Sequence, residues 1–411
     1  MGFNSFFLNT LLPAVLVTDE AISMLLSKTF VAIYHLLLLT VTCVRAAAIE
    51  KAAAIENAVV LEKRHNARLL LIQLWWSVAH TLQNHYYNSG TGQYNGGSLW
   101  TDANTLEDLH NLMLATGTDD FSTVADNSYI GSMANNPSTN WNSVINGSND
   151  DAQWIILALW KIADYKAARG LSNTNYVNSG IAIYNIIVGQ WDGTCGGGVW
   201  WSSAHTYKNA VTNELFLLAS ASGYLRFKQQ AFLSNANLVI LNSGMRNSAG
   251  LWNDGLDTST CANNGQTTWT YNQGVIASGL AALAAATGDT SYLDQAEITL
   301  DATISQLTSN DILKESCDDA ASGGPVCDAD QGIWTKHLQY YLDNANDASR
   351  TAKYSPFLGS QTSAVFHYGT DANGDVGSVW YAPNQGGSIF TPKTSASGLA
   401  AHVAAAKYGP C

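Results

Sequence analysis

Blocks of Leu, Ala and Ile at helical spacing recur along the chain, and most end at a glycine followed at once by a helix-capping residue. Leu112-Met113-Leu114-Ala115-Thr116-Gly117-Thr118-Asp119 is echoed by Leu283-Ala284-Ala285-Ala286-Thr287-Gly288-Asp289-Thr290. Glycine readily takes the left-handed conformation that ends a helix, and Thr, Asp or Ser then caps the next one. Each stop therefore predicts a tight turn between two helices. Further stops at Gly170 and Gly223 set intervals of 53, 53 and 65 residues between Gly117 and Gly288. A fifth falls around Asn344 to Asn346 and a sixth at Gly409. Second helices are predicted over Tyr176 to Val188, Leu225 to Leu241 and Tyr292 to Leu307, each leading into a long loop rich in Gly, Trp and Asn.

Short turns alternating with long loops describe an array of helical hairpins. The sixth helix has no successor, whereas an unpaired helix, about Asn66 to Tyr86, precedes the first, which lies near Asn104 to Thr116. Pairing these two closes the array. The predicted fold is all-α, a single-domain (α/α)6 toroid of six inner and six outer helices; an open solenoid is the alternative, disfavoured because the count closes at six. All inner helices then start on one face. That face collects Trp100, Asp102 and Asn104, then Asn149, Asp150 and Asp151, then Trp200, Trp201, Tyr207, Lys208 and Asn209. Trp252, Asp254, Trp269, Tyr271, Asn272 and Gln273 follow, with Trp334, Lys336, His337, Trp380, Tyr381 and Lys393 completing the circuit. Aromatic planes interleaved with amides suit sugars, whose C–H faces need flat apolar surfaces and whose hydroxyls need donors and acceptors. About half of the tryptophans are expected to pack in the interior instead.

Composition narrows the partners. With 19 Lys+Arg against 32 Asp+Glu, the net charge of -13 argues against nucleic acid. A hydrophobic content of 46% with only 7 Pro excludes a disordered chain. Residues 24–46, a Lys followed by the apolar run Thr29 to Val44 and then Arg45-Ala46, read as a secretory signal peptide, the run being short for a membrane span. Residues 1–23 then read as an upstream extension, and 47–64 as a pro-segment ending at Lys63-Arg64, which leaves 65–411 as the working domain. Secretion to the cell exterior or wall, as a monomer without a stable membrane anchor, is the corresponding expectation. In an oxidising compartment Cys195 is expected to bond Cys261, and Cys317 to bond Cys327, with Cys411 left over. No Cys-x-x-Cys or His-x-x-x-His cluster suggests a metal, and no cofactor is expected. Asp371 to Gly377 imitates a calcium loop but lacks its glycine at position six and its glutamate at twelve, so it reads as a turn. The tripeptide Asn146-Gly147-Ser148 is a glycosylation sequon so close to Asp150 that it is expected to be unoccupied.

Asp150-Asp151 is the sharpest local signal. One Asp caps a helix; a second beside it adds repulsion that capping does not need. Neighbours on a helix point about 100° apart, so both flank one cleft only when the helix N-terminus aims into it, as the toroid requires. A retaining glycosidase needs two carboxyl groups roughly 5 Å apart, a span adjacent residues can cover. The helix N-terminus would stabilise one as the ionised nucleophile, and that charge would keep its neighbour protonated as the acid.

Asp150-Asp151, Cys195-Gly196-Gly197-Gly198-Val199-Trp200-Trp201, Tyr207-Lys208-Asn209-Ala210-Val211-Thr212-Asn213-Glu214 and Trp269-Thr270-Tyr271-Asn272-Gln273-Gly274 resemble the motifs of glycoside hydrolase family 76, from roughly Leu82 to the C-terminus. The resemblance implies an (α/α)6 barrel acting on α-1,6-linked mannan or mannooligosaccharides in an endo mode with retention, Asp150 as nucleophile and Asp151 as acid/base. It also implies a cleft lined by Trp100, Asn104, Trp201, Tyr207, Lys208, Asn209, Trp269, Tyr271, Asn272 and Gln273. The chain departs from the family pattern at Leu99, where a second Trp is common, and at Asp330-Gln331-Gly332-Ile333-Trp334. Two other functions remain: a transmannosidase acting on wall mannan or glycolipid-anchor glycans, and a mannan-binding module. The first is disfavoured by the lack of a hydrophobic tail over Leu399 to Cys411, the second by the intact Asp pair.

Overall fold

The structure is a computed structural model that describes residues 75–238, 244–315, 331–383 and 387–410. The expected signal and pro-segments, Cys317, Cys327 and Cys411 lie outside the described residues. After helix α1 (75–86) the chain runs through α2 (Leu99–Thr116), three short helices α3 (Ser122–Asn127), α4 (Tyr129–Asn135) and α5 (Trp141–Ile145), then α6 (Asn149–Ala168) and α7 (Thr174–Val188). It continues through α8 (Ala210–Phe227), α9 (Gln230–Asn237), α10 (Thr270–Thr287), α11 (Ser291–Gln306), α12 (Gln331–Ala345), α13 (Ala348–Ala364) and α14 (Pro392–Tyr408).

Six of these are almost wholly buried and form the inner ring. α2 packs on α6, α6 on α8, α8 on α10, α10 on α12, α12 on α14, and α14 returns to α2. The ring is therefore closed, an (α/α)6 toroid as the hairpin count required. Outside it, α7, α9 and α11 each lie against the inner helix that precedes them, and α13 lies against α12 and α14. α1 supplies Trp75, Val78, Ala79 and Leu82 to an apolar cluster shared with Leu109 and Leu112 of α2 and Leu399 and Val403 of α14. The remaining outer position is filled by α3, α4 and α5 rather than by one continuous helix.

The predicted stops hold at Gly117 (φ 75°), Gly170 (φ 67°), Gly288 (φ 79°) and Asn346 (φ 45°), all left-handed. Gly223 is a correction. It lies inside α8, which continues to Phe227 and ends at left-handed Lys228 (φ 55°), so α9 begins at Gln230 and not at Leu225. A Cβ on Gly223 would stand 2.3 Å from the Phe232 ring; glycine is there to let an outer-layer aromatic approach the helix. The first inner helix also starts earlier than expected, at Leu99, where Ser98 and Thr101 form a capping box. Asp371 forms the expected turn, accepting the backbone N–H groups of Asn373 and Asp375 at 2.9 Å each.

Cys195 and Cys261 are disulfide-bonded across 66 residues. The bond fastens the loop carrying Trp200 and Trp201 to the hairpin formed by Gly255–Asp257 and Ala262–Asn263. Because a crosslink of that span restricts the unfolded chain, Cys195→Ser is expected to lower unfolding stability by about 2–4 kcal/mol. Urea titration of both proteins checks this, and coincident midpoints would contradict it.

Candidate active site

Asp150 and Asp151 occupy the first turn of α6, whose N-cap is Ser148. The start of this helix is clasped by the loop before α8. The Asn149 N–H donates to the Trp201 carbonyl at 3.0 Å, and Asn149 Nδ2 donates to the Trp200 carbonyl at 2.8 Å. Trp201 N–H in turn donates to the Tyr207 carbonyl at 2.9 Å. These bonds fix where the Trp201 indole stands, 44% exposed, with Nε1 donating to Asp150 Oδ2 at 2.9 Å.

The two carboxyl groups differ in their surroundings. Asp150 Oδ1 accepts from Ser148 Oγ at 2.9 Å and from the Asp151 backbone N–H at 3.0 Å, so with Trp201 it has three donors. Burial raises the Asp150 pKa, and these donors oppose the rise. Asp151 is pushed up to about 6, first by burial and then by the charge of Asp150. One carboxyl is thus held as an acceptor, and its neighbour retains a proton near pH 6. That pairing can deliver a nucleophile and an acid to one bond.

Trp201 brings an aromatic ring to this pair, and further aromatics expected at the cleft pair with one another. Trp201 meets Tyr207 edge-on, with ring centres 6.4 Å apart. Tyr207 donates its hydroxyl proton to Asp254 and accepts from Asn264 Nδ2 at 2.9 Å. Trp269 and Tyr271 stack at 5.9 Å with planes 11° apart, and the Lys393 ammonium sits 5.3 Å above the Trp100 ring. All five aromatics keep part of their surface open.

Other residues expected to line the cleft face inward. Lys208, 1% exposed, forms an ion pair with Asp192 at 2.7 Å and donates to the carbonyls of Asp192 and Thr194. Gln273 donates to the carbonyls of Trp252 and Trp269 and accepts the Trp252 N–H at 2.7 Å. Asn104 accepts from Lys336 Nζ at 2.6 Å and donates to the Trp100 carbonyl. The hydrogen bonds of Lys208 and Gln273 hold loops against helix starts, whereas those of Asn104 lie within α2 and across to α12. Asn209 and Asn272 are also buried, but Asn209 Oδ1 and both amide atoms of Asn272 have no hydrogen-bond partner among the described residues.

Sequence reasoning overlooked Ser148 as a donor to Asp150, although Ser ahead of Asn-Asp-Asp at a helix start is itself a capping signal. It also overlooked Asn264, which no local pattern marks. Among the described residues no group of three or more His, Cys, Asp or Glu side chains could hold a metal ion.

The model for glycosyl hydrolase family 76 matches residues 76–407. The chain is 30% identical over 165 residues to mannan endo-1,6-alpha-mannosidase DFG5 of Saccharomyces cerevisiae, covering 36% of this chain and 35% of that one. It is 26% identical over 239 residues to mannan endo-1,6-alpha-mannosidase DCW1 of Candida glabrata, covering 54% and 52%. The alignments thus span about a third to a half of the length of these curated relatives. In three dimensions it superposes with a TM-score of 0.69 on an inactive variant of the alpha-1,6-mannanase GH76A of Salegentibacter sp. HEL1_6, in complex with alpha-1,6-mannotriose, at 19% identity over 82% of this chain and 99% of that one.

Proposed function

Since the chain belongs to glycosyl hydrolase family 76, we propose that it cleaves α-1,6-mannosidic bonds within a mannan backbone, with retention of configuration, using Asp150 as nucleophile and Asp151 as acid/base. The unequal hydrogen bonding of the two carboxyl groups carries this reading. Asp150, held as an acceptor by three donors, attacks C1 of the mannosyl unit while Asp151 protonates the departing O6. The covalent mannosyl ester forms as the glycosidic bond breaks. Asp151, now a carboxylate, takes a proton from water; the water oxygen bonds to C1, and Asp150 is released. Trp201, Tyr207, Trp269 and Tyr271 provide planes on which sugar rings rest. Support comes also from the Salegentibacter enzyme, whose inactive variant has two consecutive Asp replaced by Asn.

The Cys195–Cys261 bond supports action outside the cell or at its wall, where disulfides persist. A sugar hydroxyl in place of water at the second step would make the same pair a transmannosidase. Linear α-1,6-mannan incubated with the protein is expected to give shorter oligosaccharides whose new reducing ends are first α. β products would overturn the mechanism, and chains longer than the substrate would favour transfer.

Because Asp151 must carry its proton to act as acid, kcat/KM is expected to be lost as pH rises through about 6. The raised value has the sign that keeps the acid form below that pH, so the loss lies on the alkaline side. A profile flat from pH 5 to about 8 would contradict the assignment of Asp151.

A further inference from the structure

The opposite pole of the ring, toward the C-terminal ends of the inner helices, holds a cavity of about 300 Å³, a volume within the range of small-molecule sites. Its walls carry Leu157 and Trp160 of α6 and Leu218 and Leu225 of α8. Lys161 also lines it, with its ammonium 4.5 Å from the centre of the Tyr340 ring. Lys161 forms no ion pair or hydrogen bond with any described residue, and Ser222, on the facing helix, has a hydroxyl likewise without a partner.

Glu107, Arg226, Tyr340, Asp343 and Asn344 complete the lining, and its other charged groups have direct partners. Glu107 pairs with Lys336, Asp164 with Arg226, and Asp343 with Lys407. Lys161 is the lining cation with no direct ion pair among the described residues; burial lowers its pKa, and the fields of Glu107, Asp164 and Asp343 oppose that fall. A charge in a poorly solvated place interacts strongly with an opposite charge brought beside it. A chamber whose Leu and Trp walls flank an ammonium and a hydroxyl that both lack a direct partner has the makings of a site for a compact organic anion.

We propose that this cavity is a second ligand site, separate from the catalytic pole, which takes a small organic monocarboxylate: the carboxylate against Lys161 and Ser222, the hydrocarbon part against Leu157, Trp160, Leu218 and Leu225. The site does not depend on the reading of Asp150 and Asp151.

Isothermal titration of the full chain with benzoate tests it. Saturable binding with a Kd of about 1 mM or tighter is expected. Benzamide, of the same shape without the charge, and the Lys161→Met variant with benzoate should each bind at least about tenfold more weakly. α-1,6-Mannotriose should not displace benzoate. Absence of saturable binding, equal affinity for benzamide, or displacement by mannotriose overturns the proposal. If Lys161→Met does not fold, Leu218→Trp, which fills the chamber from the facing wall, must abolish binding, and benzoate retained by that variant overturns the proposal equally.

Discussion

Asp150→Ala is expected to lower mannan cleavage by on the order of 10⁴-fold or more, the scale on which loss of a nucleophile is felt in enzymes that work through a covalent intermediate. The same variant should be equally poor on an aryl mannoside with an acidic leaving group, because no leaving group compensates for a missing nucleophile. Asp151→Ala should differ. It should lose mannan cleavage but form the mannosyl-enzyme from the activated aryl substrate, whose departure needs no proton. Equal loss for both variants on the aryl substrate would overturn the order of roles within the pair. Charge coupling offers a second readout. With Asp150→Asn the negative charge that helps hold Asp151 near 6 is gone, so the Asp151 carboxyl titration, followed by infrared or NMR, should move to lower pH.

The largest effect on stability is expected at Lys336. Its ammonium, 1% exposed, donates to Asn104 Oδ1 at 2.6 Å and to Glu107 Oε2 at 2.8 Å, and lies 3.2 Å from Asp108 Oδ1. Tyr340 adds a donor to Glu107 at 2.8 Å and accepts from Asn111 at 2.6 Å. Burial alone would lower the Lys336 pKa, but Asp108 and Glu107 more than offset it. Asp108 is itself pushed up to about 7, first by burial, with Lys336 holding it down. Lys336→Met leaves the acids without their cation inside the ring, and removal of one partner from a buried pair typically costs about 3–5 kcal/mol. A urea midpoint within about 0.5 kcal/mol of wild type would show that the acids simply take up protons and that the network contributes little.

Much of the ring was legible because its turns need what glycine and asparagine supply. Gly117, Gly170, Gly288 and Asn346 are left-handed, and that requirement is written in the residue type. Gly223 misled for a physical reason: a glycine that makes room for Phe232 is the same letter as one that reverses the chain. The broken outer position at α3 to α5 was not anticipated, since short amphipathic turns carry little periodicity. At the site, the Asp pair could be read because two adjacent carboxyls exceed what a cap requires. The polar residues around it could not be sorted. Lys208 and Gln273 serve loops, and Asn104 a neighbouring helix, with the same amide and ammonium groups that a sugar would use. Tryptophan was ambiguous in the same way. Of the tryptophans placed on the cleft face, Trp200, Trp252, Trp334 and Trp380 are buried and Trp100, Trp201 and Trp269 are not, the near-even division that burial preference led us to expect.

Ser148 belongs to two chemistries at once. It completes the sequon with Asn146, which is exposed in a left-handed turn, and its hydroxyl donates to Asp150. Removing the sequon through its serine would therefore strip a donor from the proposed nucleophile, whereas removing it through Asn146 would not. Drift of this surface loop is then expected to be one-sided: the asparagine can change with the demands of glycosylation, and the serine is tied to the proposed reaction through Asp150.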